Sequence, residues 1–182
     1  MSLGQTPSQT VGPYFAYGLT PEQYGYPYRS AYGPVLVDAR APGERIVLTG
    51  RVFDGDGKPV DDAMIEICHA DAKGGHLFGR CGTGTERDKS FRFRTIKPGS
   101  IGPGNAPHIE VIVMMRGMLS HAFTRVYFDD EQEANARDEV LADVPAERRS
   151  TLIARRETLP GGVVYHFDIR MQGPDETVFF DM

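Results

Sequence analysis

The residues with the widest chemical capacity in this chain are its five histidines, His69, His76, His108, His121 and His166, together with the carboxylates near them. The sharpest grouping is His108-Ile-Glu110. On a strand, residues i and i+2 share a face, so His108 and Glu110 can address one ion. His166 as a third donor would complete the two-His, one-carboxylate set that suits ferrous iron. H-x-E is short and common, so a plain His and Glu on a strand surface or at an interface stays open beside that reading. Cys68 and Cys81 form no CxxC, which indicates neither a zinc site nor a disulfide framework. They read as free thiols of a reducing compartment. Ser8 and Ser100 lie in no GxSxG elbow. Neither Gly82-Thr-Gly84 nor Gly102-Pro-Gly104 matches a phosphate loop. Motifs alone therefore assemble no complete catalytic constellation.

The elements that must position these residues read mostly as strands. Arg45–Phe53 is the first, followed by a tight turn at Asp54-Gly-Asp-Gly-Lys-Pro59 whose glycines suit positive φ. Ala63–His69 follows. Phe91–Ile96 alternates, with Phe91, Phe93 and Thr95 on one face. His108–Met115, Ala122–Phe128 and Val163–Met171 continue the pattern, with Thr177–Phe180 as a final candidate. Short strands with frequent turns predict a mainly β fold, an antiparallel β-sandwich with a few short helices. The helices are expected within 130–157: an acidic start at Asp130-Glu-Gln-Glu133, and a second helix over Ala146–Arg156 with Pro145 at its start and Leu152 and Ile153 on one face. Residues 1–44 form an arm with neither a helical nor a strand period. It holds Tyr14, Tyr17, Tyr24, Tyr26, Tyr28 and Tyr32, six of the eight tyrosines. So aromatic a segment must pack on its own body or on another chain.

The chain of 182 residues, 40% hydrophobic and 25% charged, predicts one globular domain over 1–182, the arm at 1–44 and the sandwich at 45–182. The net charge of -5 argues against a nucleic-acid partner. Met1–Thr10 lacks the basic and apolar regions of a signal peptide. The longest apolar run, Val111–Met115, is too short for a membrane span. A soluble, cytoplasmic protein is expected.

Three stretches, in order over nearly the whole chain, carry a family resemblance. They are Thr6-Pro-Ser-Gln-Thr-Val-Gly-Pro-Tyr14; Val47-Leu-Thr-Gly-Arg-Val-Phe-Asp-Gly-Asp-Gly-Lys-Pro-Val60 with Ile65-Glu-Ile-Cys-His-Ala-Asp71; and Phe93-Arg-Thr-Ile-Lys-Pro-Gly99 with Ala106-Pro-His-Ile-Glu-Val111. Together they resemble the intradiol ring-cleaving dioxygenases. The ending, Phe167-Asp-Ile-Arg-Met-Gln-Gly173 and Thr177-Val-Phe-Phe-Asp181, resembles the iron-free chain of the family's two-chain members. Iron-binding members hold Fe(III) with two Tyr and two His, the histidines spaced H-x-H on one strand. Phenolates are hard, anionic donors suited to ferric iron. Here His108 stands at the first histidine position and Glu110 at the second. No tyrosine occurs between Tyr32 and Tyr127, and Ser100 and Ile101 follow Pro98-Gly99.

At most one of four ligands remains, so the resemblance implies that the Fe(III) sits on a partner beta chain, in a higher alpha-beta oligomer with its active site at the interface. It implies a substrate pocket lined by Thr10, Gly12, Pro13, Tyr14 and Arg125. The reaction implied is cleavage of protocatechuate between its hydroxyl-bearing carbons with insertion of both atoms of O2, a step of aromatic catabolism. Pro13 would stiffen the loop, Tyr14 would offer a flat wall with a polar tip, and Arg125 would attract an anionic aromatic acid. Arg125 as an intersubunit salt bridge, and the arm as interface packing only, remain open. Two other functions remain as well: an independent ferrous oxygenase using His108 and Glu110, and a non-catalytic β-sandwich binding module.

Overall fold

A computed structural model describes residues 10–38, 40–71 and 74–181. The start of the arm motif, Thr6 to Gln9, and with it Ser8, lies outside the described residues. Among the described residues nine strands form: β1 (Arg45–Phe53), β2 (Met64–Ala70), β3 (His76–Gly82), β4 (Ser90–Ile96), β5 (Ile109–Met114), β6 (Ala122–Phe128), β7 (Ile153–Leu159), β8 (Gly162–His166) and β9 (Ile169–Arg170). Their order is β3-β2-β5-β6-β7-β8-β1-β4, with β9 on β1. The halves β3-β2-β5-β6 and β7-β8-β1-β4 face each other across one core. Ile65, Ile67, Val111 and Val126 meet Leu48, Phe91, Phe93 and Tyr165 there. Each such side chain, taken fully out of water, contributes about 1.5–3 kcal/mol. The strict alternation of β5 shows how this face is chosen: Ile109, Val111 and Val113 are buried inward, leaving Glu110, Ile112 and Met114 on the outer face.

The β-sandwich with short helices follows the sequence pattern, with several departures; the strand expected over Val163–Met171, for one, is broken into β8 and β9. The sheet is mixed rather than wholly antiparallel. β1 runs parallel to β8 and to β9, and β6 parallel to β7. A parallel pair needs a long crossover, and residues 129–152 supply one between β6 and β7. The helix expected over Ala146–Arg156 is a single 3-10 turn, Arg149–Leu152, running straight into β7. Leu152 is buried in a small satellite core with Tyr127 and Leu141, and Ile153 and Ala154 pair with Tyr127 and Phe128. Tertiary pairing overrides helical propensity there. The Pro160-Gly161 turn that folds β8 back onto β7 was the missed signal.

Thr177–Phe180 forms no strand; it makes one bridge, Phe180 to Phe123. The arm is not wholly irregular: α1 (Tyr14–Leu19) is followed by a 3-10 turn at Pro21–Tyr24. Six residues are too few to display a period. β3, an edge strand containing two glycines, went unseen for a similar reason. Two short helices, α2 (Gln132–Asn135) and α3 (Glu139–Asp143), fall within the expected 130–157 region.

Candidate functional site

The outer face of β5 and β6 carries the residues of interest. The register sets Glu110 opposite both Cys68 of β2 and Arg125 of β6. The Arg125 guanidinium lies 2.8 Å from Glu110 Oε1, and His108 Nε2 lies 3.3 Å from the same oxygen. His108 Nδ1 is 2.8 Å from the Ala106 carbonyl and donates to it. Nε2 can then serve Glu110 as a donor only when the ring carries both protons. Burial pushes the Glu110 carboxyl up, but the hydrogen bond from His108 and the Arg125 charge outweigh it and hold the carboxyl below its ordinary range. The Arg125 guanidinium also interacts with the Tyr127 hydroxyl, and its second terminal nitrogen, Nη1, is buried.

Ferric iron does not fit this arrangement. A guanidinium already neutralises Glu110, and a metal cation beside it would be repelled. Phenolate donors are missing too. Burial raises the hydroxyl of Tyr127, and it raises that of Tyr165 to about 12, so both stay protonated. Tyr127 donates to Asp138 at 2.9 Å, and Tyr165 to Asp130 at 3.0 Å. His166, the third donor of the ferrous reading, pairs with Glu157 at 2.7 Å on the opposite half of the sandwich. Among the described residues no group of three or more His, Cys, Asp or Glu could share a metal ion.

Below the cluster, Asp138 is fully buried and gathers three donors: the Tyr127 hydroxyl, the Leu141 amide at 2.8 Å and the Ala106 amide at 2.7 Å. It caps α3 and fixes the approach to His108 in the same stroke. Lys97 does comparable work nearby, bonding Asp130 at 2.8 Å and Glu131 at 2.6 Å. Neither hub was read from the sequence: the Ala106 amide lies 32 residues from Asp138, and the two Lys97 partners lie 33 and 34 residues from it.

The arm residues precede the sandwich, while Arg125 lies on β6. Thr10 is exposed, Gly12 and Pro13 are partly exposed, and Tyr14 is 79% exposed. The Val11 amide donates to the Met118 carbonyl at 3.0 Å, fixing this stretch to the β5–β6 turn. An open apolar cavity of about 500 Å³ is lined by Gly12, Tyr14, Phe15, Gly18 and Leu19. Of the five expected pocket residues, Gly12 and Tyr14 line it, and Thr10, Pro13 and Arg125 do not. A side chain at Gly12 would meet nothing within 4 Å. Among the described residues, nothing requires glycine at that position.

The chain belongs to the intradiol dioxygenase family: the profile described as Dioxygenase matches residues 12–173. It is 57% identical over 195 residues to the protocatechuate 3,4-dioxygenase alpha chain of Burkholderia cepacia, covering 100% of this chain and 99% of that one. It is 34% identical over 161 residues to the protocatechuate 3,4-dioxygenase beta chain of the same organism, covering 74% of this chain and 67% of that one. The dioxygenase domain of a carbohydrate-binding fusion from Streptomyces sp. SirexAA-E shares the fold, with a TM-score of 0.63 and 24% identity, covering 96% of this chain and 100% of that one. No helix among the described residues is long and apolar enough to cross a membrane.

Proposed function

We propose that this chain is the iron-free alpha subunit of a protocatechuate 3,4-dioxygenase. It would act in the cytoplasm with an iron-bearing beta subunit in an alpha-beta oligomer. The observation that carries the reading is the Glu110–Arg125 ion pair on a strand where the family's iron-binding members place their second histidine. The full-length likeness to the Burkholderia alpha chain supports it, and the likeness to a beta chain supports a partner of the same fold. Fe(III) held by the partner would supply the activation of a catecholate toward O2, and the product of the complex would be 3-carboxy-cis,cis-muconate.

The residues of this chain bind and orient. Thr10, Gly12, Pro13 and Tyr14 form one wall of the pocket, with Tyr14 presenting a flat face to the ring. Arg125 faces the substrate from β6, where its positive charge favours an anionic aromatic acid. The arm at 1–44 joins the two chains, and the sandwich from 45 onward carries the fold of the assembly. Exposed Tyr14, Phe15, Tyr26 and Tyr28 suit an interface rather than water.

Co-expression with the candidate beta chain tests this. The complex should hold iron, be coloured, and consume oxygen only with protocatechuate. Tyr14→Ala or Arg125→Ala should impair ring cleavage while iron content holds. Stoichiometric iron in this chain purified alone would overturn the reading in favour of the ferrous oxygenase. Two variants with wild-type kinetics would remove the pocket assignment.

A further inference from the structure

Gly82-Thr-Gly84 has no part in phosphate binding, yet it is among the most constrained spots of the molecule. Neither glycine has a positive φ, so backbone conformation does not explain them. Space does. A Cβ on Gly82 would lie 2.3 Å from the Tyr24 hydroxyl oxygen. One on Gly84 would lie 2.6 Å from the Asp61 carbonyl and 3.1 Å from the Tyr24 ring. Between them Thr83 is fully buried. Its hydroxyl donates to the Val60 carbonyl at 2.8 Å and accepts from the Ala63 amide at 3.2 Å. The three residues form a rigid socket that admits the Tyr24 ring.

Gln23 locks the neighbouring position. Its Oε1 accepts from the Gly82 amide at 2.8 Å. Its Nε2 donates to the Gly82 carbonyl at 2.8 Å and to Thr85 Oγ1 at 2.7 Å. β3 is an edge strand, and a primary amide here satisfies its open donor and acceptor as another strand's peptide group would. From the socket a run of rings leads outward. Tyr24 meets Tyr17 edge-on with centroids 4.5 Å apart, and Tyr17 meets Tyr14 at 6.0 Å. Tyr14 is the arm residue assigned to the substrate.

We infer that Gln23 and the Gly82–Gly84 socket are positioning elements for the reaction, setting the place of Tyr14 through Tyr24 and Tyr17. This rests on the proposed pocket role of Tyr14. The test uses the complete alpha-beta complex with Gln23→Leu and Gly84→Ala, each made in wild-type and Tyr14→Ala backgrounds. Iron content and melting temperature are followed alongside, to show that each complex assembles.

In the wild-type background, losing the two bonds to Gly82 should raise KM for protocatechuate about tenfold, with a smaller change in kcat. In the Tyr14→Ala background the same change should add less than about twofold, because the element being positioned is gone. Gly84→Ala should follow the same pattern by displacing Tyr24. A Tyr14→Ala defect with silent or fully additive socket variants overturns the inference alone. A silent Tyr14→Ala overturns both the inference and the pocket role on which it rests.

Discussion

Replacing Glu110 with Gln tests the charge cluster on β5 and β6 directly. The change keeps the shape and removes the charge that pairs with Arg125 and His108. The Glu110 and Arg125 side chains are 33% and 17% exposed, so the pair is sheltered but not dry. Losing a charge-assisted hydrogen bond costs about 1.5–3 kcal/mol, and breaking a fully buried pair about 3–5 kcal/mol. Partial exposure places the expected loss near the lower figure, about 2 kcal/mol. For a chain of this size that is a fall in Tm of roughly 4–8 °C.

Arg125→Met should cost a similar amount, and the double variant little more than either alone. The resulting coupling energy should be about 1–2 kcal/mol. The assay is thermal melting of the assembled protein in a double-mutant cycle. Additivity within about 0.5 kcal/mol would refute the reasoning. The pH dependence adds a second check. Because the Glu110 carboxyl is held below its ordinary range, its contribution is complete above the unfolded carboxyl pKa. It is lost as pH falls through the lower folded value, and the coupling should vanish with it.

Other outcomes follow from the same geometry. Asp138→Ala strands three donors and uncaps α3, so it should cost about 3 kcal/mol and lower Tm by roughly 6–12 °C; Asp138→Asn, which keeps two acceptor contacts, should cost about half as much. Asp62 is buried with its carboxyl raised by burial, only partly offset by Arg116 3.2 Å away. Its contribution is therefore complete below the unfolded carboxyl pKa and lost as pH rises through the raised folded value. Asp62→Asn should leave Tm at neutral pH equal or slightly higher, and should flatten its rise toward acid; a clear loss at neutral pH would contradict this.

β1 and β6 match the expected ranges residue for residue, and β5 and β4, whose burial alternates, nearly so. What escaped was set by tertiary partners. Leu152 and Ile153 carry a helical pattern until Tyr127 and Phe128 claim them for the sheet. β3 holds its place by the Gln23 amide, 59 residues from Gly82 in sequence. At the site, His108 and Glu110 stood out by spacing, but their neighbour Arg125 did not, since cross-strand register is invisible without the hairpin between β5 and β6. The arm's pocket residues rest on family likeness alone.

The Glu110–Arg125 pair also bears on the direction in which this sequence can evolve. A lone Glu110→His exchange would restore the family's H-x-H spacing but set a new imidazole beside a guanidinium left without its anion. Regaining a metal would require removing Arg125 and supplying two phenolates, none of which is useful before the others. A reversal through single, individually favourable steps is closed. The pair works as a ratchet: with the carboxylate and the guanidinium joined, no single exchange turns this strand into a metal site.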